Sequence, residues 1–182
     1  MKDHVGKLLS NGITEAQLMW EEVIIATLSQ PHFQLGIGNM DYVLGNMIAK
    51  YVSSSKYYKI TTNAKIYLQK IGIDLKKPVH IKKDVYGSKK NTILEHIIPS
   101  SVVKLALVEN KSNKDQMIYI LRNSGFVVIA TRDEDELLKK NKLTNRMPSI
   151  WKGFGDRPEK RYEVAGIKIS NLSIEHAGQI CR

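Results

Sequence analysis

The strongest structural signal in the chain is the segment Phe126-Val127-Val128-Ile129-Ala130, which runs directly into Thr131-Arg132-Asp133-Glu134. The first five residues are apolar and rich in β-branched side chains, a composition that predicts a strand. Thr131 and Glu134 have the spacing of a capping box, in which each side chain satisfies a free backbone amide at the start of a helix. The acidic residues that follow, and the lysines near Lys140, suit the two ends of a helix dipole. This segment predicts a strand joined directly to a helix.

Upstream of this segment, the N-terminal part of the sequence predicts helices. Capping residues, apolar stripes at helical spacing and closing Pro or Gly residues support them. Three helices are expected, one opened by the capping box Thr14-Glu15-Ala16-Gln17, one from about Met40 to Val52, and one from Asn63 to Ile71. Residues 1–75 are therefore predicted to be a helical subregion.

Residues 76–182 predict strands mixed with helices. A hairpin is expected from Val79–Ile81 and Thr92–Leu94, because both runs have strand composition and turn residues lie between them. Further elements are a helix after Pro99, a helix from Asp115 to Asn123 and a last strand from Val164 to Ile169. The sequence shows no internal repeat. The predicted fold is α+β in one domain, 1–182: a helical N-terminal part, then a small, mostly antiparallel sheet with packed helices.

Composition limits the class of protein. The chain has 182 residues, and its 42% hydrophobic content is enough for one domain with a real core. Cys181 is the only cysteine, so a disulfide framework and a thiolate zinc site are excluded within one chain. No apolar run reaches the roughly 20 residues that span a bilayer. The start, Met1-Lys2-Asp3-His4, lacks the apolar segment of a secretory signal. We expect a cytoplasmic protein without a membrane segment.

The net charge of +10 is unusual, and it is concentrated in one region. Between Lys56 and Lys90 there are ten lysines against two aspartates, a balance of +8. Such a density of cations attracts phosphate polymers. Tyrosines are interleaved with the lysines and could stack on bases. A surface that only keeps the protein in solution has the same composition, but we expect nucleic acid or nucleotides as partners.

A second signal is Ile93-Leu94-Glu95-His96-Ile97-Ile98-Pro99, a carboxylate next to a histidine in a short apolar strand. Over about eight residues it resembles the first strand of the HNH (His-Me finger, ββα-metal) nucleases. The resemblance implies that Glu95 contributes to a Mg²⁺ or related divalent site and that His96 is the general base that activates water. The family also has an asparagine and a further metal ligand downstream, for which Asn110 and Asn113 lie at suitable separations.

The leading functional hypothesis is therefore a metal-dependent nuclease that acts on DNA or RNA, of a size and charge that suit an antiviral defence or toxin effector. Lysines would position the phosphate backbone without reading its sequence. The candidates are Lys82, Lys83, Lys89 and Lys90.

Two other hypotheses remain open. The segment from Trp151 to Tyr162 places large aromatics in an irregular stretch, together with Arg157 and Arg161. Arginines beside aromatics suit phosphate binding and base stacking, so this segment could form the pocket of a toxin-like enzyme acting on nucleotides or RNA. Alternatively, Trp151 and Phe154 anchor the segment to the core. The last hypothesis is a basic nucleic-acid-binding module without catalysis, regulated by an acidic partner protein.

Overall fold

The computed structural model describes residues 12–34, 39–86 and 90–177. Within these ranges the chain alternates helices and short strands, which confirms the α+β class. The elements are α1 Glu15–Leu28, α2 Met40–Ser53, β1 Tyr57–Thr61, α3 Thr62–Lys70, a one-turn π-helix Ile81–Val85, β2 Thr92–His96, α4 Ser100–Glu109, α5 Lys114–Ser124, β3 Val127–Thr131, α6 Arg132–Lys140, α7 Lys160–Val164 and β4 Ile169–Glu175. None of the helices in the described ranges is long and apolar enough to cross a bilayer.

The four strands form one mixed sheet in the order β2-β3-β1-β4. The central strands β1 and β3 are parallel, and each outer strand is antiparallel to its neighbour. Two of the three pairings are thus antiparallel, as predicted. All five residues of β3 are buried, so this strand lies at the centre of the core.

The structure corrects the predicted helical character of residues 1–75. Tyr57–Thr61 is the central strand β1, within the segment predicted to be helical. The strand was not predicted because it contains polar and charged residues such as Lys59 and because its pairing partners lie far away along the chain.

The predicted strand Thr92–Leu94 is part of β2, but the predicted hairpin and the predicted start of the last strand were wrong. The hairpin does not form: β2 pairs with β3, whereas Val79 makes an isolated bridge to His176. The last strand begins at Ile169 and not at Val164, which instead ends α7. Strand composition does not show which segment a strand pairs with, and it does not fix the residue at which a strand begins.

The structure also contains a repeat that the sequence does not reveal. In what we call the first unit, residues 57–73, β1 ends at Thr61, whose side chain accepts a hydrogen bond from Ala64 N and so caps α3. In the second unit, residues 127–143, β3 ends at Thr131, whose side chain accepts one from Glu134 N and caps α6. The two threonines are seventy residues apart, and both helices have nine residues. The units differ in sequence but share the same order of a five-residue strand that ends in a capping threonine and then a nine-residue helix.

The outer strands exchange partners between the units. β2 follows the first unit but pairs with β3, and β4 follows the second unit but pairs with β1. The flanking hydrogen bonds match: Thr62 N donates to Lys168 O and Arg132 N donates to Asn91 O. A helix pair precedes each unit, and α1, α2, α4 and α5 contact one another in a ring. The two halves of the chain therefore interlock in one core.

Candidate functional site

Glu95 and His96 are consecutive residues of β2, where they lie opposite Val128 and Val127 in an unbroken antiparallel ladder. Successive side chains of a strand point to opposite faces of the sheet. The structure therefore does not bring the Glu95 carboxylate and the His96 imidazole together on one face.

The Glu95 carboxylate is bound to Arg161. The guanidinium Nη2 lies 3.2 Å from Glu95 Oε2, and Nη1 donates to the His96 carbonyl at 2.7 Å. Arg161 also donates to the carbonyl oxygens of Leu143 and Thr144. With only 1% of Arg161 exposed, this cluster holds α7 against β2 and the end of the second unit.

The titration behaviour of both residues follows from burial. Burial raises the pKa of Glu95, and the charge of Arg161 opposes this shift. Burial lowers the pKa of His96, and Arg161 lowers it further. Burial thus acts against the charged form of each side chain, although a quarter of the Glu95 side chain (24%) remains exposed.

The residues around Glu95 do not fit the predicted Mg²⁺ site. Among the described residues, no three Asp, Glu, His or Cys side chains lie close enough to hold a metal ion. The candidate asparagines have other roles: Asn113 accepts from Gln116 N as the cap of α5, and Asn110 donates to the Ala106 carbonyl. A hard cation needs several oxygen ligands, and Glu95 supplies one carboxylate that is already paired with a cation.

Arg161 is not available to a phosphate, contrary to the role predicted for it. Its guanidinium is buried and hydrogen-bonded to four protein oxygens. Arg157 is exposed and forms an ion pair with Glu163.

The segment around Trp151 is anchored to the molecule. Trp151 and Phe154 pack edge to face with ring centroids 5.4 Å apart, and both lie against the core. Lys160 Nζ lies 2.7 Å from Asp156 Oδ2, and Lys152 N also donates to this carboxylate. The Lys160 hydrogen bond is the main reason that the pKa of Asp156 falls to about 2. The alternative in which the aromatics fix the loop to the core is therefore observed.

Two of the lysines between Lys56 and Lys90 form ion pairs, Lys56 with Glu175 and Lys77 with Asp74. For the other seven lysines described in this stretch, no side-chain partner is found among the described residues: Lys59, Lys65, Lys70, Lys76, Lys82, Lys83 and Lys90. Of the predicted phosphate contacts, Lys82 and Lys83 are exposed on the π-helix, Lys90 is half-buried, and Lys89 lies outside the described residues.

A cleft of about 360 Å³ lies beside β1 and β4, and the sequence analysis missed it. We call it the sheet-end cleft. Its charged lining is Lys59, Arg157, Glu159, Glu163 and Lys168, and Ser170 and Asn171 add polar groups. Lys59 was hidden inside an unrecognised strand, and nothing in the sequence around Lys168 indicates a cleft.

Searches against protein-family models, curated proteins and solved structures found no match for this chain. Functional inference therefore depends on the residues themselves.

Proposed function

We propose that the chain is a basic nucleic-acid-binding module acting in the cytoplasm. The observation that carries the proposal is the set of seven lysines between Lys59 and Lys90 whose amines have no side-chain partner among the described residues. A further lysine of this kind, Lys168, lines the sheet-end cleft together with the exposed Arg157.

Unpaired lysines are better suited to phosphate than paired ones. A lysine that already holds a carboxylate must give up that ion pair to bind a phosphate. Lys139 of α6 is such a case, with Asp135 and Glu136 both 2.8 Å from its amine. An unpaired lysine has no ion pair to break, and each phosphate it neutralises releases condensed counterions from the nucleic acid.

The structure offers less support for a nuclease at Glu95 and His96. The carboxylate is paired with Arg161, and the two side chains leave opposite faces of β2. Metal-dependent cleavage stays a prediction from the sequence, and the same experiment can test it.

The experiment measures fluorescence anisotropy of labelled single-stranded and duplex DNA between about 50 and about 300 mM NaCl. The test variant replaces Lys65, Lys70, Lys82 and Lys83 with glutamine. The control replaces Lys77 and Lys139, whose amines are held in ion pairs, with glutamine. We expect steep salt dependence for the wild-type protein. For every lysine in the test variant that binds a phosphate in the wild type, the slope of log K against log salt should fall by about 0.9 with duplex DNA. The control should leave the slope unchanged.

Two results would overturn the proposal. One is wild-type binding that is absent or independent of salt. The other is an equal reduction of affinity in the test and control variants. Parallel incubations with Mg²⁺, Mn²⁺ or EDTA detect cutting. Metal-dependent cutting that His96→Ala abolishes would replace the binding module with the nuclease.

A further inference from the structure

We propose that the open half of the sheet, formed by β1 and β4, binds single-stranded nucleic acid, with Tyr57 as a base-stacking platform and Lys59 and Lys168 at the phosphates. This inference rests on the proposed function and specifies its ligand. It uses residues separate from the lysines of α3 and the π-helix.

Tyr57 and Lys59 project from the same face of β1. They are two residues apart on a strand, and their partners on β4, Glu175 and Ser173, are spaced in the same way. Two residues of strand span about 6.6 Å. An aromatic ring and an ammonium group are thus placed one beside the other on one surface, at a separation on the scale of neighbouring bases and phosphates.

The Tyr57 ring is exposed and held in position. The residue is 41% exposed although it belongs to a central strand. Lys56 Nζ lies 5.3 Å from the ring centroid and is held 3.4 Å from Glu175 Oε1. This contact fixes one face of the ring, so less conformational freedom is lost when a base stacks on the other face.

The sheet-end cleft continues this surface past Lys59. Lys59 and Lys168 have no side-chain partner among the described residues. Of the two acidic residues in the lining, Glu163 is neutralised by Arg157, and Glu159 remains. The hydroxyl and amide groups of Ser170 and Asn171 lie in the same cleft and can donate to phosphate or sugar oxygens.

The combination favours a single strand over a duplex. Bases in a duplex are stacked on one another, so their faces are not available to a side chain. In a single strand a base can stack on an aromatic ring, and this stacking does not depend on sequence. Lysines alone would not distinguish the two forms in this way.

The test compares anisotropy titrations of a labelled single-stranded dT oligomer with those of a duplex of equal length. Tyr57→Ala should weaken binding of dT by about tenfold, within the range for one stacked base, and change duplex binding by less than about twofold. Tyr57→Phe keeps the ring and should bind like the wild type. Tyr42→Ala removes a tyrosine that is 72% exposed on α2, and should have no effect.

A separate variant tests the two lysines of the sheet-end cleft. The double substitution Lys59→Gln and Lys168→Gln should weaken dT binding and reduce its salt slope by about 1.4, or about 0.7 for each phosphate on a single strand. Circular dichroism of each variant confirms that it is folded.

The outcomes separate this inference from the proposed function. If the wild type binds DNA with salt dependence but Tyr57→Ala leaves dT affinity unchanged, or lowers dT and duplex affinity equally, the stacking platform is wrong and the binding module stands. If the wild type binds neither DNA, both fail. A selective reduction of dT binding, rescued in Tyr57→Phe, supports the inference.

Discussion

The two repeated units have the same arrangement of strand, cap and helix but differ in charge. Helix α3 of the first unit carries two lysines and no acidic residue, whereas α6 of the second carries four acidic residues, and its Lys139 is paired within the helix. Both helices begin at a capping threonine that ends a central strand of the sheet. The cap and the buried positions fix the unit, and the exposed positions are free to take either charge. Of the two units, the first is therefore the one suited to binding polyanions.

A buried position of the helices also differs between the units. Ala64 in the first unit is matched by Glu134 in the second, and both are buried. Glu134 Oε2 accepts hydrogen bonds from Thr131 N at 2.9 Å and from Thr61 Oγ1 of the first unit at 2.6 Å. One carboxylate thus completes the capping box of its own helix and ties the two units together.

The connections to the outer strands show a third difference. In the first unit the connection contains the π-helix, and Thr92 Oγ1 donates to the Val85 carbonyl. In the second unit the connection contains α7 and is held by the buried Arg161. The first connection has no buried charge of this kind among the described residues, whereas the second depends on one.

The largest expected effect is therefore that of removing Arg161. Arg161→Ala leaves three carbonyl oxygens and the Glu95 carboxylate without their donor, and removing one partner of a buried pair costs about 3–5 kcal/mol. Urea unfolding, followed by circular dichroism, measures this decrease in stability. Arg157→Ala is the control, since its side chain is 66% exposed and its ion pair should contribute less than about 1 kcal/mol.

Equal costs for the two arginines would show that the second connection does not depend on the buried guanidinium. If Arg161→Ala does not fold, Arg161→Lys keeps the charge but not the planar set of donors. It should then be folded, with a stability below that of the wild type.

The next effect concerns Glu134, the residue that makes the two units unequal inside the core. Glu134→Ala removes the hydrogen bonds to Thr61 and Thr131 and should cost about 2–3 kcal/mol, since bonds to a charged group are worth about 1.5–3 kcal/mol. Asp133→Ala removes an exposed carboxylate from the same helical turn and should cost less than about 1 kcal/mol. Urea midpoints that fall equally in both variants would reduce the role of Glu134 to its interaction with the helix dipole.

Local signals in the sequence were enough to predict several elements. The capping boxes at Thr14 and Thr131 are both present, because a cap is formed by residues three apart. The helices at Ser100–Glu109 and Lys114–Ser124 were also confirmed. Strand pairing could not be predicted in the same way. Lys59 pairs with Val128, which is far away along the chain. The residues next to Lys59 or Val128 do not indicate this pairing.

The candidate site shows the same limit. Sequence placed Glu95 beside His96 but could not show that Arg161, sixty-six residues later, binds the carboxylate. It assigned Arg157 and Arg161 the same role, although one is exposed and the other is buried in the core. The local concentration of lysines was visible, because charge needs no partner to be counted. Which lysines are unpaired depends on contacts that only the fold defines.

The smallest expected effect is a pH-dependent change in stability, tested at equivalent positions of the two outer strands. Glu95 of β2 lies opposite Val128, and Ile174 of β4 lies opposite Tyr58, the residue of the first unit that matches Val128. Burial raises the pKa of Glu95 in the folded protein. Protonation of Glu95 therefore stabilises the folded protein in full below the unfolded-state pKa, and this stabilisation is lost as the pH rises through the folded-state pKa.

Glu95→Gln behaves like the protonated form at every pH. The urea midpoint of the variant relative to wild type should therefore be higher at pH 7 than at pH 3.5. Ile174→Val, at the matching position, should shift the midpoint by the same amount at both pH values, because no ionisable group is changed. If the relative midpoint of Glu95→Gln does not depend on pH, Arg161 compensates the burial of the carboxylate in full. The ionised and the neutral form of residue 95 would then stabilise the folded protein equally.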